Sequence, residues 1–324
     1  MNENTKSIYD YLANQLSNIT DPEYRFCLPE EKTEDIAFAD GAQDGIIVYH
    51  TWPKELPENT LNDLLELARL TEQGYEPALE KLKGLLAGNR AIVLIDPLLD
   101  LVAENMPDLK FQAIAEFALG LITESADREQ VKIGMSLLEL ANDPPQAVKN
   151  VLRVLSLSDE LTLYGVNGMA ATWENGNEEI FETAKHVHGW GRIHAVRTLK
   201  PETEEIRNWL LTEGVKNDVL PAYSALECYN KAEVFKRLQS KCTPKELEGI
   251  ARIIEGLLDE GPLPGISLIE EKSEFLASFL TQIMEAGMTE SRRDILEAVH
   301  AYAEKEQLSK PLHLSSLALG IAGK

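Results

Sequence analysis

From about residue 58 to the C-terminus, apolar residues recur at the three- and four-residue intervals of helices that bury one face. No stretch there alternates apolar and polar residues as a half-buried strand would. The pattern predicts sixteen consecutive helical segments, beginning with 59–72 and 75–87 and ending with 289–304 and 311–321. Breakers sit where helix ends need them. Asn89, Gly189, Gly214 and Gly287 stand at expected left-handed C-terminal positions, and Pro144, Pro201 and Pro244 in first turns. Thr243 with Glu246 has capping-box spacing, and Thr289 precedes Arg292 at N-cap distance. Helices of roughly 12–15 residues do not persist alone in water, so packing between them must supply the stability. Short connections make neighbours antiparallel, and repeated antiparallel pairs build a bundle or a solenoid.

The first 57 residues differ. Residues 4–18 form an opening helix with Ile8, Leu12 and Leu16 on one face. Residues 20–57 are punctuated by Pro22, Pro29, Pro53 and Pro57, and their one strong apolar run is Gly45 to His50. That run fits either a short strand or a helix begun at Asp40. The expected organisation is therefore an N-terminal helix and irregular arm over 1–57, packed on a helical repeat array over 58–324.

A recurring motif favours the solenoid. Arg192-Ile193-His194-Ala195-Val196-Arg197-Thr198-Leu199 resembles the second helix of a HEAT repeat, and Lys110 to Gly120 is a looser copy. Val131 to Leu138 and Ala222 to Tyr229 are weaker ones. The resemblance is clearest over 105–235 and implies an all-α, HEAT/armadillo-like superhelix. The segments DGAQDGIIVYHTWP (40–53) and HGWGRIHAVRTLKPETEEIRNWLLTEG (188–214) further resemble a group of bacterial proteins with such folds, one of which is labelled limonene hydroxylase. Oxygen activation needs haem, flavin or non-haem iron. The sequence has neither a dinucleotide-binding loop nor a two-histidine, one-carboxylate set, so that activity is not carried over.

Composition narrows the function classes. With 54 acidic and 31 basic residues the formal charge is -23, and the acids are spread along helix faces. A nucleic-acid binder needs a basic footprint, which is missing here, and anionic membranes are disfavoured for the same reason. The apolar run AIVLIDPLLDLV is cut by Asp96 and Pro97 and is too short to span a bilayer. Three cysteines, Cys27, Cys228 and Cys242, form no CxxC pair, as expected in a reducing compartment. The N-terminus lacks the pattern of a signal peptide, so the expected location is cytoplasmic.

Candidate chemistry centres on 186–230. His186 and His188 lie two apart, which on a continuous helix turns them away from a common ion, and the expectation is no metal and no cofactor. Trp190, His194 and Arg197 are spaced to share one strip of a helix, which on a HEAT-like concave face would form a polar-aromatic binding patch. Asn217 and Tyr223 would extend it, while Arg192 points to the packing side and to a structural ion pair. Asp40 to Gly45 lacks the ligand pattern of a calcium loop and reads as a turn. The tail 311–319 reads as a docked last helix. No catalytic residue can be nominated. The leading expectation is a non-enzymatic scaffold for a protein or peptide, with the acidic charge favouring a basic one, as a monomer or weak homo-oligomer. The alternative is an enzyme or small-molecule binder with its pocket around 186–230.

Overall fold

The computed structural model describes residues 6–29, 38–51, 55–261, 263–287 and 290–320. Pro53, Thr289 and part of the expected arm lie outside these residues. Among them the structure is all-α, with eighteen α-helices and no strand. The chain divides into two compact units, Met1–Thr198 and Leu199–Lys324. The division does not coincide with residue 57, because the described part of the arm packs into the first unit.

The first unit contains α1 (Ile8–Ala13), α2 (Ala42–His50), α3 (Glu58–Leu70), α4 (Tyr75–Leu86), α5 (Ala91–Glu104), α6 (Phe111–Glu124), α7 (Arg128–Leu137), α8 (Gln146–Ser156), α9 (Thr162–Thr172), α10 (Gly176–His186) and α11 (Trp190–Thr198). From α3 onward these form two rows. In one row α3 touches α5, α5 touches α7, α7 touches α9 and α9 touches α11; in the other α4, α6, α8 and α10 follow in the same way. Along each row a helix thus meets the second helix after it, and most helices also pack on an immediate neighbour, which is the arrangement of stacked helix pairs. Between the rows lies an apolar core that includes Leu67, Leu82, Leu94, Leu98, Phe117 and Leu121, all nearly inaccessible to water.

The second unit contains α12 (Glu204–Trp209), α13 (Ala222–Lys231), α14 (Val234–Arg237), α15 (Pro244–Leu258), α16 (Lys272–Ala286), α17 (Glu290–Lys305) and α18 (Ser309–Leu319). Here α13 touches α15 and α15 touches α17, while α18 docks on α16 and α17 as the apolar tail predicts. The capping box forms at Thr243 and Glu246, with Pro244 in the first turn.

Several boundaries differ from the pattern. The run Gly45–His50 belongs to a helix, α2. Of the four expected left-handed C-terminal residues only Gly287 has positive φ. Gly214 instead closes a π-helical turn, Leu210–Gly214, that continues α12. This turn is shaped by its neighbour: a Cβ on Gly249 of α15 would lie 2.2 Å from the Leu211 carbonyl oxygen, so only glycine allows α15 to approach so closely. Gly84, near the end of α4, has nothing within 4 Å of its Cβ position.

These two glycines give opposite expectations. Gly249→Ala should destabilise the protein by about 1–3 kcal/mol through overpacking, whereas Gly84→Ala should stabilise it by about 0.5–1 kcal/mol through helix propensity. Urea unfolding of both variants beside the parent measures the two shifts.

Candidate functional site

The densest polar cluster of the first unit lies where the N-terminal ends of α5, α7 and α9 meet α2. At its centre is Lys132 of α7, whose side chain is fully buried. Its ammonium donates to Glu160 Oε1 at 2.5 Å, Asp44 Oδ2 at 2.6 Å and Glu129 Oε1 at 2.8 Å. Arg90, just before α5, donates to Asp44 Oδ1 through Nε at 3.1 Å and Nη2 at 2.9 Å, and Nη2 also reaches Glu129 at 3.1 Å. The Tyr164 hydroxyl of α9 donates to Asp44 Oδ2 at 2.8 Å. Arg128 pairs with Asp40 at 2.9 Å and lies 3.9 Å from Glu160.

Helix ends explain why so many carboxylates gather here. The first N–H groups of a helix lack partners within it and carry the positive end of its dipole. Glu129 Oε2 accepts from the Ala91 N–H at the start of α5, at 2.6 Å. Asp159 Oδ1 accepts from the N–H groups of Gly189 and Gly191, at 2.9 and 2.7 Å, at the start of α11. Glu160 Oε2 accepts from the Gly41 N–H at 2.5 Å, just ahead of α2. Carboxylates of one layer therefore cap helices of another.

Charge balance follows from these contacts. Burial pushes the Asp44 carboxyl up, but Lys132 and Arg90 outweigh it and hold it below the ordinary carboxylate range. Burial alone would lower Lys132, yet Glu160, Asp44 and Glu129 keep it above its ordinary value. Oxygens of Asp44, Glu129 and Glu160 lie within 4.8 Å of one another, a grouping that could hold a metal ion. The Lys132 ammonium already bonds to all three. A cation-binding geometry is thus satisfied by the chain's own cation.

The residues singled out in the sequence take different places. Trp190 and His194 are not part of an exposed patch: they are only 5% and 2% accessible, and of the expected strip Arg197 alone is exposed. The correction has a steric cause, because α2 lies over them. A Cβ on Gly45 would fall 2.2 Å from the Trp190 ring, so glycine lets the helix rest directly on the indole. Gly41 has φ +77° and turns the chain into α2 beside the same tryptophan. Tyr49 stacks over the His194 ring with centroids 6.0 Å apart, and the Arg197 guanidinium lies 5.3 Å from the Tyr49 centroid. Neither His194 ring nitrogen has a hydrogen-bond partner among the described residues. Leaving a buried polar group unsatisfied costs about 1–3 kcal/mol. Burial, and then Arg197, lowers the His194 pKa to about 4, so the ring is neutral at pH 7.

Arg192 is buried, and its guanidinium donates to the carbonyls of Val187 at 2.6 Å and Lys185 at 3.5 Å, tying down the chain beyond α10. His186 bonds through Nδ1 to the Glu182 carbonyl one turn back, while His188 is buried. Asn217 and Tyr223 belong to the second unit. Asn217 closes a local turn with Val219 and Leu220, and Tyr223 is half-buried with its phenol raised by burial. Among the described residues no helix is long and apolar enough to cross a membrane.

Sequence reasoning missed the cluster itself. A signal was present in Val131-Lys132-Ile133-Gly134-Met135, where a lysine interrupts a helix buried over 130–137. The segments around Gly45 and Trp190 meet face to face. A scan against protein-family models and searches of curated proteins and solved structures each return no match.

Lys132→Met should destabilise the protein by about 3–5 kcal/mol at pH 7, since it leaves three carboxylates confronting one another; chemical unfolding gives the value directly. A second expectation concerns pH. Burial raises Asp159 to about 6, with Asp40 adding to the rise against its backbone donors. The folded chain then keeps a proton that the unfolded chain releases near 3.8, and stability falls as pH rises through that window. His194 acts oppositely: the unfolded chain gains a proton near 6.5 that the folded chain refuses down to about 4, so stability falls as pH drops. Asp159→Asn, which keeps an accepting oxygen, should make the parent's stability rise more steeply between pH 4 and 6, and His194→Phe should make it rise less or fall. Unfolding midpoints across that range decide both signs.

Proposed function

We propose that this protein is a helical scaffold of HEAT/armadillo type that binds a protein or peptide partner of basic character. The support begins with engagement. The groups in the first unit that most resemble reactive chemistry cap helices or neutralise one another, which is a structural occupation. The formal charge of -23 favours a cationic partner. Cys27, Cys228 and Cys242, none of them in a disulfide, fit a reducing, cytoplasmic setting.

One observation carries the reading furthest. An open groove of about 620 Å³ in the first unit is lined by Tyr75, Leu79, Glu124, Asp127, Glu129 and Arg128 among others, the Arg128 charge being matched by Asp40. Tyr75 is held in place from behind: its ring is 5.4 Å from that of Phe117, and a Cβ on Gly120 would lie 2.5 Å from it. Burial, then Glu124 and Glu76, raises the Tyr75 phenol, which places both acids within electrostatic reach of the ring. A fixed aromatic beside carboxylates suits a lysine or arginine side chain through combined cation–π and ionic attraction. The partner's remaining contacts would run along the acidic helix faces.

The test uses a fluorescein-labelled (Lys-Arg)4 peptide and the full chain. Tyr75→Ala with Glu124→Ala should weaken binding at least tenfold at 150 mM salt, while Arg293→Ala with Glu297→Ala, a surface ion pair in the second unit, leaves it unchanged. Equal affinity of parent and groove variant would remove the groove from the reading.

A further inference from the structure

Helix α2 is held in an unusual way for a helix of its composition. Its large aliphatic residues do not anchor it: Ile46 is 41% exposed, and Ile47 and Val48 are only half-buried. What it buries is Ala42, Asp44 and Gly45. The Asp44 carboxylate receives Lys132, Arg90 and Tyr164 from three separate elements. Gly45 seats the backbone on Trp190, and Tyr49 lies between His194 and Arg197. At nine residues α2 is also too short to stay helical without this surface.

These contacts have the form of a helix recognised in a groove by side-chain anchors, with the ligand joined to its receptor. Charge supports the comparison. Without residues 40–44, Lys132, Arg90 and Arg128 would lose their contacts to Asp44 and Asp40 and keep only Glu129 and Glu160 as partners among these pairs. A second, independent observation is that α2 does not satisfy the surface it covers. His194, 2% accessible, keeps both ring nitrogens unpartnered beneath Tyr49.

We propose that α2 is a built-in occupant of a helix-binding slot, and that the slot takes in trans a partner helix carrying an Asp-Gly pair followed by an aromatic residue four positions after the glycine. The chain's own segment is the template for that partner: the carboxylate enters the Lys132, Arg90 and Tyr164 donors, the glycine rests on Trp190, and the aromatic ring covers His194. A partner helix that also offers a hydrogen bond to His194 outcompetes α2. This slot shares Arg128 and Glu129 with the Tyr75 groove, but no residue of α2 lines that groove, and neither Tyr75 nor Glu124 takes part in the slot's contacts described above. Failure of either proposal leaves the other standing.

The test uses the full chain and a fluorescein-labelled peptide of residues 38–51. Gly45→Leu in the chain forces a side chain into Trp190 and expels α2. This variant should bind the peptide at least tenfold more tightly than the parent does, and an Asp44→Ala peptide should lose at least tenfold on it. A folded Gly45→Leu chain, judged by its helical circular dichroism, that gains no affinity overturns the proposal, as does indifference to Asp44→Ala. Hydrogen exchange on the unmodified chain decides independently of whether that variant folds. Amides of α2 should exchange at least a hundredfold faster than those of α9, through local opening. Equal protection of the two helices would mean that α2 is a fixed part of the core.

Discussion

The buried ammonium of Lys132, bonded to three carboxylates, is the contact on which the first unit most depends. Asp44 comes from α2, Glu129 from α7 and Glu160 from the approach to α9, so one side chain holds three separate elements. A charge taken from water is strongly unfavourable unless matched, and here all three carboxylates bond to it. The cluster therefore enforces a single arrangement of those segments. Apolar packing alone tolerates sliding; a satisfied ionic network does not.

Glu129 and the neighbouring Asp159 also resolve a problem inherent in stacked helix pairs. Each helix presents unpaired N–H groups at its start, and stacking brings several such ends together on one side. Glu129 and Asp159 answer this by capping α5 and α11 from neighbouring layers. Part of the acidic excess in the composition is thus structural, placed where helix dipoles favour negative charge. Asp159 does this at some expense, shown by a carboxyl raised to about 6. The acids that flank Tyr75 stand apart from this network and give the proposed partner site its sign.

The position of α2 links the structural cluster to the proposed helix-binding slot. It shields Trp190 and His194, the residues whose spacing first suggested a binding strip. Their types are those of a recognition surface, and the surface is filled by the chain itself. A helix anchored by one aspartate, two glycines and a tyrosine, rather than by its isoleucines, has the contact pattern of a ligand more than that of a core element.

Much of the fold was legible in the residues because helix periodicity and helix-end chemistry are local. The all-α class, the capping box at Thr243 and the docked tail follow from spacings within a few turns. The Gly45–His50 run was ambiguous for a physical reason: its secondary structure depends on Trp190 and Lys132, more than eighty residues away. Gly189 and Gly214, read as left-handed stops, serve instead at an α11 start capped by Asp159 and in a π-turn shaped by Gly249. The cluster shares this character: Glu129, one turn before Lys132, is signalled by helix spacing, but nothing near Lys132 in sequence reveals Asp44 and Glu160. Local pattern determined that the chain is a succession of amphipathic helices, each with one face to bury. Only tertiary structure decided which polar groups those burials would bring together, because charge pairing inside a protein is set by distances that the order of residues along the chain does not contain.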